Sequence, residues 1–274
     1  MAATLIIAAC VMIVSLCVRM YWNTFRLIIR DVQVEFISDA ELPNLRILQL
    51  SDLHMERLSI SSHRLIALVK PTEPNLIVLT GDYLDQWNNV DKCLVYLEAL
   101  VALQPRYGVV LVFGNHDHYL GEAIDLFQQK IEAIGCKVLR NQSLCMDIEG
   151  FPVNIIGVDD YYVGKSDLKR SFEGIGHGFN LMLSHDPDLV LHLNDSHSVD
   201  YILSGHLHGG QFNVPFAFRL FPMGELPKQK IVKGLHMING RPVYINAGLG
   251  QSGVNARLRS RPEITIHHLR HAVV

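Results

Sequence analysis

ILQLSDLH, residues 47–54, is an apolar run that stops abruptly at Ser51-Asp52-Leu53-His54. Its first half reads as a buried strand. Its second half carries a carboxylate and an imidazole two positions apart. Residues i and i+2 of an extended chain point the same way, so Asp52 and His54 are expected to converge. The junction recurs four times. "IVLT" runs into Gly81-Asp82-Tyr83-Leu84-Asp85, and "VLVF" into Gly114-Asn115-His116-Asp117. "LMLS" runs into His185-Asp186-Pro187, and "YILS" into Gly205-His206-Leu207-His208. Each time, Asp, Asn or His stands just beyond the C-terminal end of a predicted strand, the edge where open α/β sheets build their sites. One such junction is weak evidence, since a strand-end Asn is usually a turn residue. Five in one chain ask for a common purpose.

Helical patterns separate the early strands. "SISSHRLIALVK" carries Ile60, Leu65, Leu68 and Val69, with Ser59 or Ser61 as the capping residue. "VDKCLVYLEALVAL" sets Leu94, Leu97 and Val101 on one face, and "EAIDLFQQKIEAIG" ends at Gly135, a C-capping residue. Val32 to Phe36 alternates like a half-buried strand. Periodicity therefore predicts an α/β fold with covered sheet faces.

The 274 residues divide into an apolar segment, expected to occupy residues 1–30 with its juxtamembrane end, and one domain over 31–274. Ala2 to Val18 holds no charge, and Met20, Tyr21 and Trp22 extend the run past Arg19, long enough to cross a bilayer. Tyr21 and Trp22 suit an interfacial belt. Arg19, Arg26 and Arg30 then put the domain on the cytoplasmic side. A basic leader and a small-residue cleavage site are both missing, which favours an uncleaved single-pass anchor over a signal peptide. The net charge of −3 gives no nucleic-acid footprint. No protein partner is predicted. The five cysteines contain no C-x-x-C pair and read as reduced and mostly buried.

The strand-end residues Asp52, His54, Asp82, Asn115, His185, His206 and His208 offer only oxygen and nitrogen. They are too many for one tetrahedral zinc. They suit two divalent metals ~3.5–4 Å apart that share a carboxylate, as in displacement at phosphorus. The donor set is compatible with Mn, Fe or Zn and argues against Ca or a thiolate site.

D-x-H, G-D-x-x-D, G-N-H-D, a lone strand-end His and G-H-x-H, in this order over residues 44 to 267, resemble the calcineurin-like metallophosphoesterase family. The resemblance implies a two-layered β-sandwich flanked by helices. It implies that Asp52, His54 and His208 hold one metal, that Asn115, His185 and His206 complete the second, and that Asp82 bridges. It makes His116 the general acid and Asp117 the carboxylate that orients it, with Asp85 a supporting or structural carboxylate. Water would be the nucleophile and manganese the first metal to test. The apolar N-terminus, "SHDPD", "SGHLHGGQ" and "GLGQSGVNARLRSRPEIT" are similar to the small membrane-associated YaeI/YkuE-type branch, whose relatives include a UDP-2,3-diacylglucosamine pyrophosphatase of lipid A synthesis.

Two further segments bear on substrate. "FNVPFAFRLFPMGELPK", residues 212–228, is expected either to cover the core or to form an apolar lip against acyl chains. Arg257 is expected to contact phosphate, because guanidinium matches phosphoryl oxygens in pairs. Asp159 and Asp160 also end a strand and read as structural. The expected activity is hydrolysis of a phosphodiester or pyrophosphate bond in a lipid such as UDP-2,3-diacylglucosamine. The rivals are a broad phosphodiesterase or phosphatase acting on a soluble or wall-polymer substrate, and a metal-binding scaffold without activity. An intact His116 counts against the scaffold.

Overall fold

The computed structural model describes residues 1–36, 44–214 and 223–271. Strands form at Ile28–Phe36 (β1), Leu45–Leu50 (β2), Leu76–Thr80 (β3), Val109–Val112 (β4), Lys137–Val138 (β5), Gln142–Ile148 (β6), Phe151–Gly157 (β7), Phe179–Leu183 (β8), Tyr201–Ser204 (β9), Gly234–Ile238 (β10), Arg241–Ile245 (β11) and Glu263–His271 (β12). They make two six-stranded sheets, in the orders β1-β12-β2-β3-β4-β5 and β10-β11-β9-β8-β7-β6. β2 to β5 run parallel to one another, as do β7, β8, β9 and β11.

Alternation along the strands builds the layers. Leu45 and Ile47 of β2, with Leu76 and Val78 of β3, share a core with Val153, Ile155, Phe179 and Leu181 of the other sheet. Leu48, Leu50, Ile77 and Leu79 face the opposite way. They pack under helices α2 (Ser62–Val69), α3 (Val90–Val101) and α4 (Ala123–Ala133). Their neighbours thus point to opposite faces, the period of two that strand geometry imposes. The result is a β-sandwich with these three helices on one outer face and short helical turns carrying Leu189, Val190 and Leu226 against the other. Ser61 caps α2, accepting from Arg64 N–H at 3.3 Å. The buried face of α3 is centred on Cys93, Leu97 and Leu100, with Leu94 and Val101 only partly covered.

Five strands, β5, β6, β10, β11 and β12, escaped the periodicity. β6 and β10 are half-exposed antiparallel hairpin partners of β7 and β11; β6 is polar along one side, while β10 turns Leu235 and Met237 outward. β12 lies between β1 and β2 and buries polar groups, including His267. β1 begins at Ile28, so the sheet includes the last residues of the segment expected to be juxtamembrane.

Helix α1 (Ala2–Asn23) spans 22 residues and is apolar and long enough to cross a membrane. Its end is fastened to the domain. Arg257 N–H donates to Met20 O at 3.0 Å, and Asn23 Nδ2 donates to Arg257 O at 3.0 Å. Thr24 and Ser59 hydroxyls lie 2.8 Å apart. All cysteines are free, but only Cys93 and Cys136 are buried; Cys10 and Cys17, on the outer surface of α1, and Cys145 are exposed, contrary to expectation.

Candidate metal centre

The five strand-end loops meet at one edge of the sandwich. Asp52 and His54 follow β2, Asp82 and Asp85 follow β3, and Asn115 and His116 follow β4. From the second sheet come His185 after β8 and His206 and His208 after β9. The i, i+2 convergence does occur, though not on extended chain. Asp52, His54, Asp82, His206 and His208 all have left-handed backbone, with φ of 51°, 41°, 58°, 71° and 49°. Non-glycine residues seldom adopt that region, and they cluster there at functional sites because the surrounding packing enforces it. Leu53 and Leu207, between the paired ligands, are buried in cores on either side of the edge. Each loop is thereby pinned by an apolar residue while its polar neighbours project together. Gly205 and Gly114 allow the crowding: a Cβ on Gly205 would lie 1.9 Å from Ser51 Oγ, and one on Gly114 would lie 2.3 Å from Asp82 Oδ1.

Three groups of candidate ligand atoms lie within 4.8 Å of one another: Asp52, His54 and His208; Asp82, His185 and His206; and His54, Asp82 and His116. Asp82 Oδ2 joins them, 3.0 Å from His185 Nε2, 3.5 Å from His54 Nε2 and 4.0 Å from His116 Nε2. His54 Nε2 and His208 Nε2 face each other at 3.2 Å, as do His185 Nε2 and His206 Nδ1. His208 Nε2 also stands 3.4 Å from Asp52 Oδ1. Asn115 Oδ1 is buried without a hydrogen-bond partner among the described residues. Facing imidazole nitrogens, converging carboxylates and an orphaned amide oxygen are what divalent cations would satisfy, and the sulfur-free set fits Mn, Fe or Zn.

The electrostatics agree. Burial, and then the neighbouring His185, lowers His206 to about 3. Burial likewise takes His208 well below the usual imidazole range. Both rings are therefore neutral and able to ligate. For Asp82, burial favours the protonated form, but His185, His54 and His116 outweigh it and hold the carboxyl well below its ordinary range. His185 Nδ1 donates to Thr80 O at 2.6 Å, so the proton that a cation would displace is the one at Nε2. Burial lowers the His185 pKa, but Asp82, 3.0 Å from Nε2, outweighs it and holds the ring well above the ordinary imidazole range.

Two expected roles change. Asp117 does not touch the His116 ring. Its carboxylate is buried and accepts from the backbone N–H groups of Asp82, Tyr83 and Gly114 at 2.8–2.9 Å. It ties two ligand loops together. Asp85 is the partner of His116: its Oδ1 lies 2.8 Å from His116 Nδ1 and 3.4 Å from His54 Nδ1. Only chain folding could reveal this, because Asp117 is adjacent in sequence and Asp85 is not. Arg257 is fully buried and is no substrate contact. Its terminal nitrogens face the carbonyls of His208, Ala247, Gly248, Gly250 and Arg261 and the Ser260 hydroxyl.

A cleft of about 220 Å³ opens over the centre, lined by Asp82, Asn115, His116, His206 and His208 and rimmed by Tyr119, Tyr162, Met223 and Ser252. The tyrosines pack against the histidine rings, Tyr119 edge-on to His116 at 4.8 Å and Tyr162 tilted against His206 at 5.5 Å. Neither was singled out by the sequence. Asp159 is structural as expected, held by His118 at 2.7 Å and Arg140 at 3.3 Å. Phe216, Phe218, Leu220 and Phe221 of the expected lip lie outside the described residues.

A β-sandwich whose loops gather buried imidazoles and carboxylates around one shared aspartate defines a metal-dependent phosphoester hydrolase. The chain belongs to the calcineurin-like phosphoesterase family, whose model matches residues 45–210. It is 43% identical to the Bacillus subtilis metallophosphoesterase YkoQ, covering 88% of this chain and 91% of that protein. It is 32% identical to the Escherichia coli phosphodiesterase YaeI, over 86% of each. It is 29% identical to B. subtilis YkuE, over 82% of this chain and 79% of the relative.

Proposed function

We propose that the chain hydrolyses a phosphodiester or pyrophosphate bond in a membrane-lipid substrate of the UDP-2,3-diacylglucosamine type, from the cytoplasmic face of the membrane that α1 spans. The observation that carries the chemistry is Asp82 Oδ2, within 3.5 Å of ligand nitrogens from both sheets. On this reading Asp52, His54 and His208 hold one cation, Asn115, His185 and His206 hold the other, and Asp82 serves both. Manganese is the first metal to test. When bound, two such cations acidify water and neutralise charge on the phosphoryl oxygens.

The side chains supply the rest. Asp85 accepts from His116 Nδ1 and so orients the ring, with Nε2 turned toward the centre. A proton held at Nε2 is delivered to the leaving oxygen. Burial alone would lower the His116 pKa, but the bond to Asp85 and the charge of Asp82 raise it, which favours the acid form.

The lipid assignment is supported by the short path from anchor to site. Met20 of α1 bonds to Arg257, and Arg257 bonds to the His208 carbonyl. The exposed Tyr119, Tyr162 and Met223 give the cleft an amphipathic rim. The test is hydrolysis by the Mn-loaded protein in detergent, comparing bis-p-nitrophenyl phosphate with UDP-2,3-diacylglucosamine and running His116→Ala beside each. Fast cleavage of the lipid, lost in the variant, supports the reading. Cleavage of the aryl diester alone overturns the lipid assignment and leaves the site chemistry intact. Orientation is read by labelling exposed Cys145 in intact cells; a label entering from outside overturns the cytoplasmic assignment.

A further inference from the structure

A second cavity, of about 620 Å³, lies where the end of α1 meets the domain. It is lined by Arg19, Arg26, Lys233, Arg259 and Arg261, with Leu16 and Val214 among its apolar walls and no carboxylate. None of these five cations forms an ion pair with a described residue. Glu263, whose charge reaches Lys233, is already bound by Arg30 at 3.0 Å. Crowding is felt chemically. Burial, and then the neighbouring Arg26 and Arg30, lowers the Arg261 pKa. Five unpaired like charges around a hollow are unfavourable unless an anion occupies it.

The position selects the anion. Leu16 and Arg19 belong to the last two turns of α1, beside Tyr21 and Trp22, which suit a membrane–water boundary. We infer that this cavity binds the headgroup phosphate of an anionic phospholipid, with the acyl chains leaving along the apolar side of α1 near Leu16. The inference rests on the reading of α1 as a membrane anchor. Its consequence is geometric. Arg259, Ser260 and Arg261 of this cavity follow Arg257 and Leu258, and Arg257 bonds to the carbonyl of His208, which lines the catalytic cleft. A bound lipid would hold the cleft against an anionic membrane surface.

The test uses the full chain with Trp87→Phe, leaving Trp22 as the sole tryptophan, reconstituted in phosphatidylcholine vesicles. Quenching of Trp22 is compared for brominated phosphatidylglycerol and brominated phosphatidylcholine. The expected result is a clear preference for phosphatidylglycerol, lowered about fivefold for each cation removed in Lys233→Gln and Arg259→Gln. High salt should erase it in the unsubstituted protein, a measurement that does not depend on either variant folding. Equal quenching by the two lipids, or a preference unchanged by the substitutions and by salt, overturns the inference while the anchor stands. Displacement of the preference by millimolar inorganic phosphate would make this a site for free phosphate and overturn the lipid assignment. Absence of quenching by either lipid would overturn the anchor and the inference together.

Discussion

The backbone N–H of Arg257 donates to the carbonyl of Met20, while the Arg257 guanidinium donates to the carbonyl of the candidate ligand His208. One buried residue thus joins the last turn of α1 to the metal-binding edge. Its charge is held by carbonyl dipoles and the Ser260 hydroxyl, and burial lowers its pKa to about 10. Removing the side chain leaves several buried acceptors unmade, each worth about 1–3 kcal/mol. Arg257→Ala is expected to lower stability by about 3 kcal/mol or more and Tm by about 6–12 °C. It should also weaken metal retention. Calorimetry and metal analysis check this. A drop in turnover with Tm and metal content unchanged would restore Arg257 as a substrate contact.

Asp85 and Asp117 are separable by one experiment. Asp85 touches the His116 ring, and Asp117 touches only backbone. Asp85→Asn is expected to lower kcat about 10–100-fold with little change in Tm. Asp117→Ala should lower Tm by about 4 °C or more, since it frees four buried N–H groups, those of Asp82, Tyr83, Leu84 and Gly114. Kinetics and thermal unfolding on both variants decide between the roles; Asp117→Ala with native Tm and crippled kcat would reverse them.

This pair shows how far the sequence could be read. The seven candidate ligands were legible because each sits at a fixed place, the C-terminal end of an apolar run. The partners that steer them were not. Asp85 reaches His116 only because β3 and β4 are adjacent, a pairing that periodicity does not specify. β12 was hidden for a different reason: Thr265 and His267 face the interior and are satisfied by Asn246, Tyr201 and Gln49, so a buried strand reads as polar. Arg257 misled because a guanidinium in a loop is usually exposed, and here the carbonyls of that loop converge on it.

Asp82 and His208 predict different metal stoichiometries. Asp82 contacts ligand nitrogens of both clusters, and His208 belongs to one. The unsubstituted protein is expected to bind about two Mn per chain, His208→Ala about one, and Asp82→Ala fewer than one. Metal analysis after dialysis reads the ratio. Chelation should also lower Tm, because the buried Asp52 and Asp82 carboxylates then face each other without a cation between them. Equal losses in the two variants would argue against the sharing of Asp82.

His267 makes stability depend on pH, away from the metal centre. Its Nε2 donates to Gln49 Oε1 at 3.1 Å and its Nδ1 accepts from the Tyr201 hydroxyl at 2.8 Å, which fixes the neutral ring. Burial, and then His268, lowers its pKa to about 3 from 6.5. In the unfolded chain the ring takes a proton below pH 6.5, and in the folded chain only near pH 3. Between these values the unfolded state binds more protons, so stability falls as pH is lowered. His267 contributes about 1.4 kcal/mol per pH unit over that window, fully present above it. Denaturant unfolding of the metal-free protein at several pH values, beside His267→Gln, measures the slope. The variant is expected to be less stable at neutral pH and to lose about one proton's worth of slope; an unchanged slope would mean that His267 is protonated inside the fold.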